Sequence, residues 1–221
     1  DALAAIIPIS DTDRRRFNRL RQDSKDYEPI ALRHRLSDEE IARLATRRHE
    51  FPGVEINARL YRRYPFADLS SHVIGYIGRI NPEEKRVLEE GDDALNYRGT
   101  THIGKLGVEQ SYEAQLHGIS GSEQLEVTST GQVVRRLASK PAVPGRNIML
   151  SIDIRLQKLV EDLFGNRRGA LVAMDPRDGQ VLAMVSKPTF DGNLFVDGID
   201  QENWAALNES IDKPLLNRAL R

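Results

Sequence analysis

The sequence contains no cysteine and only one tryptophan. The missing thiol excludes thiolate catalysis, disulfide cross-links and cysteine-ligated zinc. It also fits life in an oxidising compartment, without establishing one. Net charge is nearly absent too. With 32 basic against 33 acidic side chains, the formal charge of -1 gives no field that would gather nucleic acid or an anionic membrane. The runs Arg14-Arg15-Arg16 and Arg47-Arg48 are short and lie among carboxylates, as on a solvated helix face. No window approaches the ~20 apolar residues of a membrane span. The chain opens on Asp1-Ala2-Leu3, with neither a methionine nor a signal-peptide pattern. It is therefore read as a segment of a longer protein, whose anchor would lie upstream.

What is present is a globular balance, 39% hydrophobic and 29% charged over 221 residues, enough for one large domain or two small ones. Helical patterning covers residues 3–7 and 11–20 on either side of Pro8, with Ser10 or Asp11 as N-cap of the second part. A short strand is expected at 28–32. Ser37-Asp38-Glu39-Glu40 is a capping box opening a helix with Ile41, Leu44 and Ala45 on one stripe. Past the turn Phe51-Pro52-Gly53, residues 54–61 alternate as a strand that would bury Val54, Ile56 and Leu60. Asn81-Pro82-Glu83-Glu84 starts another helix, ending near Gly91.

An amphipathic helix is expected at 106–116, stopped by Gly118, and a hairpin at 125–137 bending at Thr130-Gly131. Two prolines and a glycine at 141–145 mark a domain junction. Beyond it Asp153 caps a helix carrying Ile154, Leu156, Leu159, Val160 and Leu163. The apolar runs 170–174 and 181–185 then read as an antiparallel hairpin, buried on both faces and covered by helices. Two strands do not stand alone in water, so further sheet is expected beyond Arg221 or the core is exposed.

Three motifs suggest chemistry, and each lacks a part. Gly99-Thr100-Thr101-His102-Ile103-Gly104-Lys105 has the glycine and lysine spacing of a phosphate-binding loop. It is followed by Leu106, where a magnesium-binding hydroxyl belongs, and preceded by acidic sequence instead of a buried strand. Ser210-Ile211-Asp212-Lys213 is the one Ser-x-x-Lys in the chain, but Pro214 cuts short the helix such a pair needs. His34, His49, His72, His102 and His117 are scattered, with no pair at one-turn spacing. No catalytic residue, cofactor or metal site is assigned.

A further series of segments occurs in order: Arg62-Arg63-Tyr64-Pro65, His72-Val73-Ile74-Gly75-Tyr76-Ile77-Gly78, Gly104-Lys105-Leu106-Gly107-Val108-Glu109-Gln110, Leu116-His117-Gly118-Ile119-Ser120-Gly121 and Thr130-Gly131-Gln132-Val133. The series resembles the non-catalytic module of class B penicillin-binding proteins. The block from Tyr97-Arg98-Gly99-Thr100 to Glu113 is most similar to the penicillin-binding protein 2 type used in rod-shaped elongation, with the septal type as the alternative. Segments 150–156, 169–185 and Asn193-Leu194-Phe195-Val196-Asp197-Gly198 resemble the opening of the family's transpeptidase domain.

The resemblance implies an α+β fold. An elongated pedestal of the dimerisation type would span residues 1–143, with a head subdomain around 33–97, and 144–221 would be the incomplete start of a transpeptidase domain, a helix plus an antiparallel hairpin. It implies a periplasmic peptidoglycan D,D-transpeptidase tethered to the inner membrane and acylated by β-lactams. The catalytic Ser-x-x-Lys would follow the Pro214–Ala219 segment; with Ser-x-Asn and Lys-Thr/Ser-Gly also missing, this chain alone is expected to be inactive. The implied partners are a rod-shape scaffold protein and a polytopic glycosyltransferase; the helix at 37–48, the strand from Val54 and the helix after Asn81 are expected to form the part most exposed to them, with no binding face assigned.

The structural motif residues are Arg62, Tyr64, Pro65, Gly104, Gly107, Glu109, Gly118 and Gly121. Arg62 and Glu109 are expected to form a buried charge pair locking the pedestal, against the alternative of two unrelated surface charges. Gly99, Gly104 and Gly107 are expected at permissive turn positions.

Overall fold

A computed structural model describes residues 2–23, 30–58, 60–128 and 133–221. The fold is α+β, with short helices and three separate two-stranded sheets. Contacts gather the chain into two compact units, residues 1–60 with 123–139 and residues 61–122 with 140–221. Compactness thus unites residues on both sides of the junction at 141–145, a grouping by contact that crosses the grouping by family resemblance.

In the first unit, α1 (Asp11–Asp23) and α2 (Asp38–Thr46) both start on boxed caps. Ser10 Oγ accepts from Asp13 N–H (3.1 Å) while Asp13 accepts from Ser10 N–H (3.2 Å). Ser37 and Glu40 exchange the same pair of bonds at 3.2 and 2.8 Å. Glu40 also binds Arg33 at 2.7 Å, and the Ser37 N–H leads the causes that hold its carboxyl below the usual range. Ile6, Ile7 and Leu44 are buried in this unit.

Residues 54–58, 60 and 61 form no strand, contrary to the alternating pattern. No partner strand pairs with them among the described residues, and alternation without a ladder does not hold a strand. Ile56 is exposed and Leu60 fully so. Residues 30–32 are not a strand either, while Glu28 and Pro29 lie outside the described residues. The expected hairpin forms as β3 (Ser122–Val127) and β4 (Val133–Lys140); its bend at Thr130-Gly131 also lies outside them.

The second unit contains α3 (Ser71–Ile74), β1 (Ile77–Arg79), α4 (Pro82–Glu90), α5 (Ala94–Tyr97) and β2 (His102–Gly104). Strands β1 and β2 pair antiparallel, Gly78 opposite Ile103. Asn81 caps α4 in a box with Glu84, as its sequence predicts. The helix expected at 106–116 is two helices, α6 (Gly107–Ser111) and α7 (Glu113–His117), broken at Tyr112 (φ -115°, ψ 19°). The break lets the Glu113 carboxylate turn back and accept from Gly104 N–H at 2.7 Å.

The same unit holds α8 (Ile154–Phe164), β5 (Gly169–Met174), β6 (Val181–Lys187), α9 (Asn193–Val196) and α10 (Gln201–Asn208). Strands β5 and β6 form the expected antiparallel hairpin, Leu171 opposite Val185. Burial is one-sided, however: β6 buries Ala183, Val185 and Ser186, while Leu171, Val172 and Met174 of β5 remain exposed. Helix α8 buries Gln157, Val160 and Glu161 and exposes Leu159 and Leu163. Its inner face is polar because it serves main chain. Gln157 accepts from Met184 N–H (2.8 Å) and donates to Met184 C=O (2.9 Å), satisfying a β6 edge that no strand covers among the described residues.

Candidate functional site

Arg62 and Tyr64 meet at one buried carboxylate, that of Glu109. Glu109, on the first turns of α6, is 2% exposed. Its Oε1 accepts from Arg62 Nε at 2.5 Å and from the Tyr64 hydroxyl at 3.1 Å. Tyr64 in turn accepts from Ile77 N–H at 2.9 Å, so one phenol ties residue 64, β1 and α6 together. Burial first, and the Glu109 charge second, push the Tyr64 phenol well above its ordinary pKa, which keeps it a donor. The pair forms as the motifs suggest, with one correction: the Arg62 side chain is 42% exposed, so only one of the two charges is buried. Arginine allows this because its flexible stem keeps part of the guanidinium in water.

The remaining motif residues divide among three places. Pro65 is exposed, following Tyr64 in a turn closed by Ala67 N–H to Tyr64 C=O (3.1 Å). Gly104 and Gly107 pack against main chain, Gly104 at Glu109 and Gly107 at residues 73–75. A Cβ on Gly104 would lie 2.1 Å from Glu109 O, so this residue is a point of close approach within β2 and not a turn. Gly107 does have a positive φ of +62°, and a Cβ there would come 2.4 Å from Val73 O. Gly118 and Gly121 lie apart, packed against the backbone of Val143 and Lys140.

The same segment grips the chain after the junction. Tyr64 N–H donates to Asn193 Oδ1 and Asn193 Nδ2 donates to Tyr64 C=O, both at 2.9 Å. Ser70 N–H donates to Glu161 Oε1 (3.1 Å), which also accepts from Gln157 (2.9 Å), and Lys187 Nζ lies 3.6 Å from Glu161 Oε2. Tyr76 stacks on Phe195 with ring centroids 3.9 Å apart, and Phe190 sets its edge against both. His72 packs edge-on to Phe190 and has Nε2 2.9 Å from the Pro214 carbonyl. A carbonyl only accepts, so Nε2 carries the proton. Burial, and more weakly the charge of Arg218, hold this imidazole below its ordinary pKa against the opposing pull of that bond.

Sequence points to neither Glu161 nor Gln157, and it places His72, Gly75 and Asn193 in the resembling segments without giving them these contacts. One local signal existed, Gln157 and Glu161 at i,i+4 on a helix otherwise read by its leucines.

The three tempting motifs hold no reactive geometry. Residues 102–104 are strand β2, Gly104 N–H is occupied by Glu113, and Lys105 is paired with Glu84. Carboxylates of the chain thus fill the places a phosphate would take. Ser210 and Lys213 lie in a turn, with Lys213 N–H bonded to Ser210 C=O at 3.0 Å. No cluster of three metal-binding side chains occurs among the described residues, and no helix among them is long and apolar enough to cross a membrane.

What this arrangement can do is join two segments. Residues 1–150 match the family described as penicillin-binding protein dimerisation domain, and 169–221 match the penicillin-binding protein transpeptidase domain. The chain belongs to the penicillin-binding protein family. It is 40% identical over 99% of its length to the peptidoglycan D,D-transpeptidase MrdA of Haemophilus influenzae, and spans 34% of that relative. The structure of Pseudomonas aeruginosa PBP2 with WCK 5153 is 44% identical, covering 74% of this chain and 32% of that one, with a TM-score of 0.61. The complex of PBP2 with MreC from Helicobacter pylori is 28% identical, covering 98% of this chain and 40% of that one, with a TM-score of 0.80. The chain thus spans about a third of the curated relatives it matches.

Proposed function

We propose that this chain is the non-catalytic part of a peptidoglycan D,D-transpeptidase of cell-wall elongation, which seats the catalytic domain and docks partner proteins. The observation that carries the reading is the grip of the motif segment on the chain after the junction, through Tyr64–Asn193, Ser70–Glu161 and His72–Pro214. Such contacts fix the start of a transpeptidase domain in orientation. The pedestal is assigned to 1–143 and the start of the transpeptidase domain to 144–221. Arg62, Tyr64 and Glu109 act as its internal lock, and Gly104, Gly107, Gly118 and Gly121 as its points of close backbone approach. The chain's relation to MrdA and PBP2 relatives supports elongation, and the septal alternative has less support.

The MreC complex of a relative supports a rod-shape scaffold protein as partner. A polytopic glycosyltransferase, and peptidoglycan and β-lactams for the longer protein, complete the set. The site of action is the periplasmic face of the inner membrane. One experiment with two arms tests the reading. The 221-residue chain is incubated with a fluorescent penicillin and, separately, titrated with the extracytoplasmic domain of a rod-shape scaffold protein in a calorimeter. No covalent label and a saturable binding isotherm are expected. Labelling at Ser210 would overturn the non-catalytic assignment, and a flat isotherm the docking role.

A further inference from the structure

The turn at residues 210–218 is held from three directions. From within, Arg218 donates to three main-chain carbonyls, to Asp212 at 2.5 Å, Lys213 at 3.2 Å and Leu216 at 3.4 Å. From strand β6, the Ser186 hydroxyl accepts from Arg218 N–H at 3.0 Å and donates to Leu216 C=O at 3.2 Å. From helix α3, His72 Nε2 donates to Pro214 C=O at 2.9 Å, and Asn217 Nδ2 returns a longer bond to His72 C=O at 3.4 Å. Arg168 adds an ion pair to Asp212 at 2.9 Å.

A loop that served only as a connection would leave its carbonyls to water. Here they are collected by side chains, Pro214 is buried, and Lys213 is kept at a φ of +43°, a left-handed conformation costly for a side chain of its size. The surrounding bonds over-determine the turn, as a segment needs when its direction matters.

We propose that His72 and Arg218 are positioning residues for the acylation step of the longer protein, setting the course of the chain that leaves the turn. The proposal rests on the reading above, in which the catalytic serine follows this segment. Neither side chain touches reacting atoms. Arg218 fixes the shape of the turn, and His72 fixes its place against the motif segment.

The test uses the longer, membrane-extracted protein and measures the rate constant for acylation by a fluorescent penicillin, per folded molecule, well below the melting temperature of every variant. His72→Ala is expected to slow acylation on the order of tenfold or more, since small misplacements of a reacting group have large rate effects. His72→Gln, which restores an N–H donor for Pro214, is expected to recover most of the rate. A packing role alone would lower the melting temperature and leave the rate unchanged, and that result would overturn the proposal. If His72→Ala does not fold, Arg218→Gln carries the test with the same expected loss, and an unchanged rate there overturns it too. Absence of labelling in the unsubstituted protein would instead refute the transpeptidase reading.

Discussion

Arg62→Ala is expected to destabilise the second unit by about 3–5 kcal/mol, because it leaves the Glu109 carboxylate buried without its countercharge. Glu109→Ala is expected to cost less, about 1–3 kcal/mol, although it removes the more buried partner. The asymmetry follows from exposure. Glu109 is 2% exposed and finds no water when Arg62 is gone, whereas the Arg62 side chain, at 42%, rehydrates when Glu109 is gone. What Glu109→Ala strands is the Tyr64 hydroxyl, which keeps its bond from Ile77 N–H but loses its acceptor. Thermal unfolding of the two single variants and the double variant checks this. At roughly 2–4 °C per kcal/mol for a chain of this length, the shifts are readily separated. The double variant is expected to be well above the sum of the singles in stability, and strict additivity would mean the pair does not act as one.

A second large effect is expected at Gly75. Its φ is +78°, and a Cβ there would lie 1.8 Å from the carbonyl oxygen of Leu106. Gly107 faces it from the other side, where a Cβ would come 2.8 Å from Gly75 N. Both obstacles are backbone, so no side-chain rotation relieves them. Gly75→Ala must push the α3 turn away from the start of α6, and α6 carries Glu109. A loss above about 4 kcal/mol, or failure of the unit to fold, is expected. Gly99→Ala provides the comparison. It has a φ of +92° but nothing within 4 Å of its Cβ position, so only the left-handed backbone is charged, about 1–2 kcal/mol. Urea unfolding of both variants separates steric lock from backbone preference, and equal losses would remove the close approach from the account.

These sites show what was readable in sequence. The caps at Ser37 and Asn81 were legible because a capping box lies within four residues and depends on little else. The Arg62–Glu109 pair spans 47 residues and was reached only through resemblance, since no local pattern joins them. The strand at 54–61 failed because alternation says which face a strand would bury, not whether a neighbour exists to pair with it. Helix α8 misled in the opposite sense. Its leucines suggested the buried face, yet Gln157 and Glu161 point inward because Met184 and Ser70 need their hydrogen bonds. Gly75 reads as one more glycine until Leu106 is placed against it.

The central claim is that the motif segment and the chain after the junction form one cooperative body, and native-state hydrogen exchange measures this most directly. Four amides report on it: Tyr64 and Ser70, which donate to Asn193 and Glu161, and Met184 and Arg218, which donate to Gln157 and Ser186. All four are expected to exchange through a single opening, with opening free energies and denaturant dependences that converge. If Tyr64 and Ser70 exchanged freely while Met184 and Arg218 stayed protected, the two segments would be separate bodies and the pedestal would position nothing.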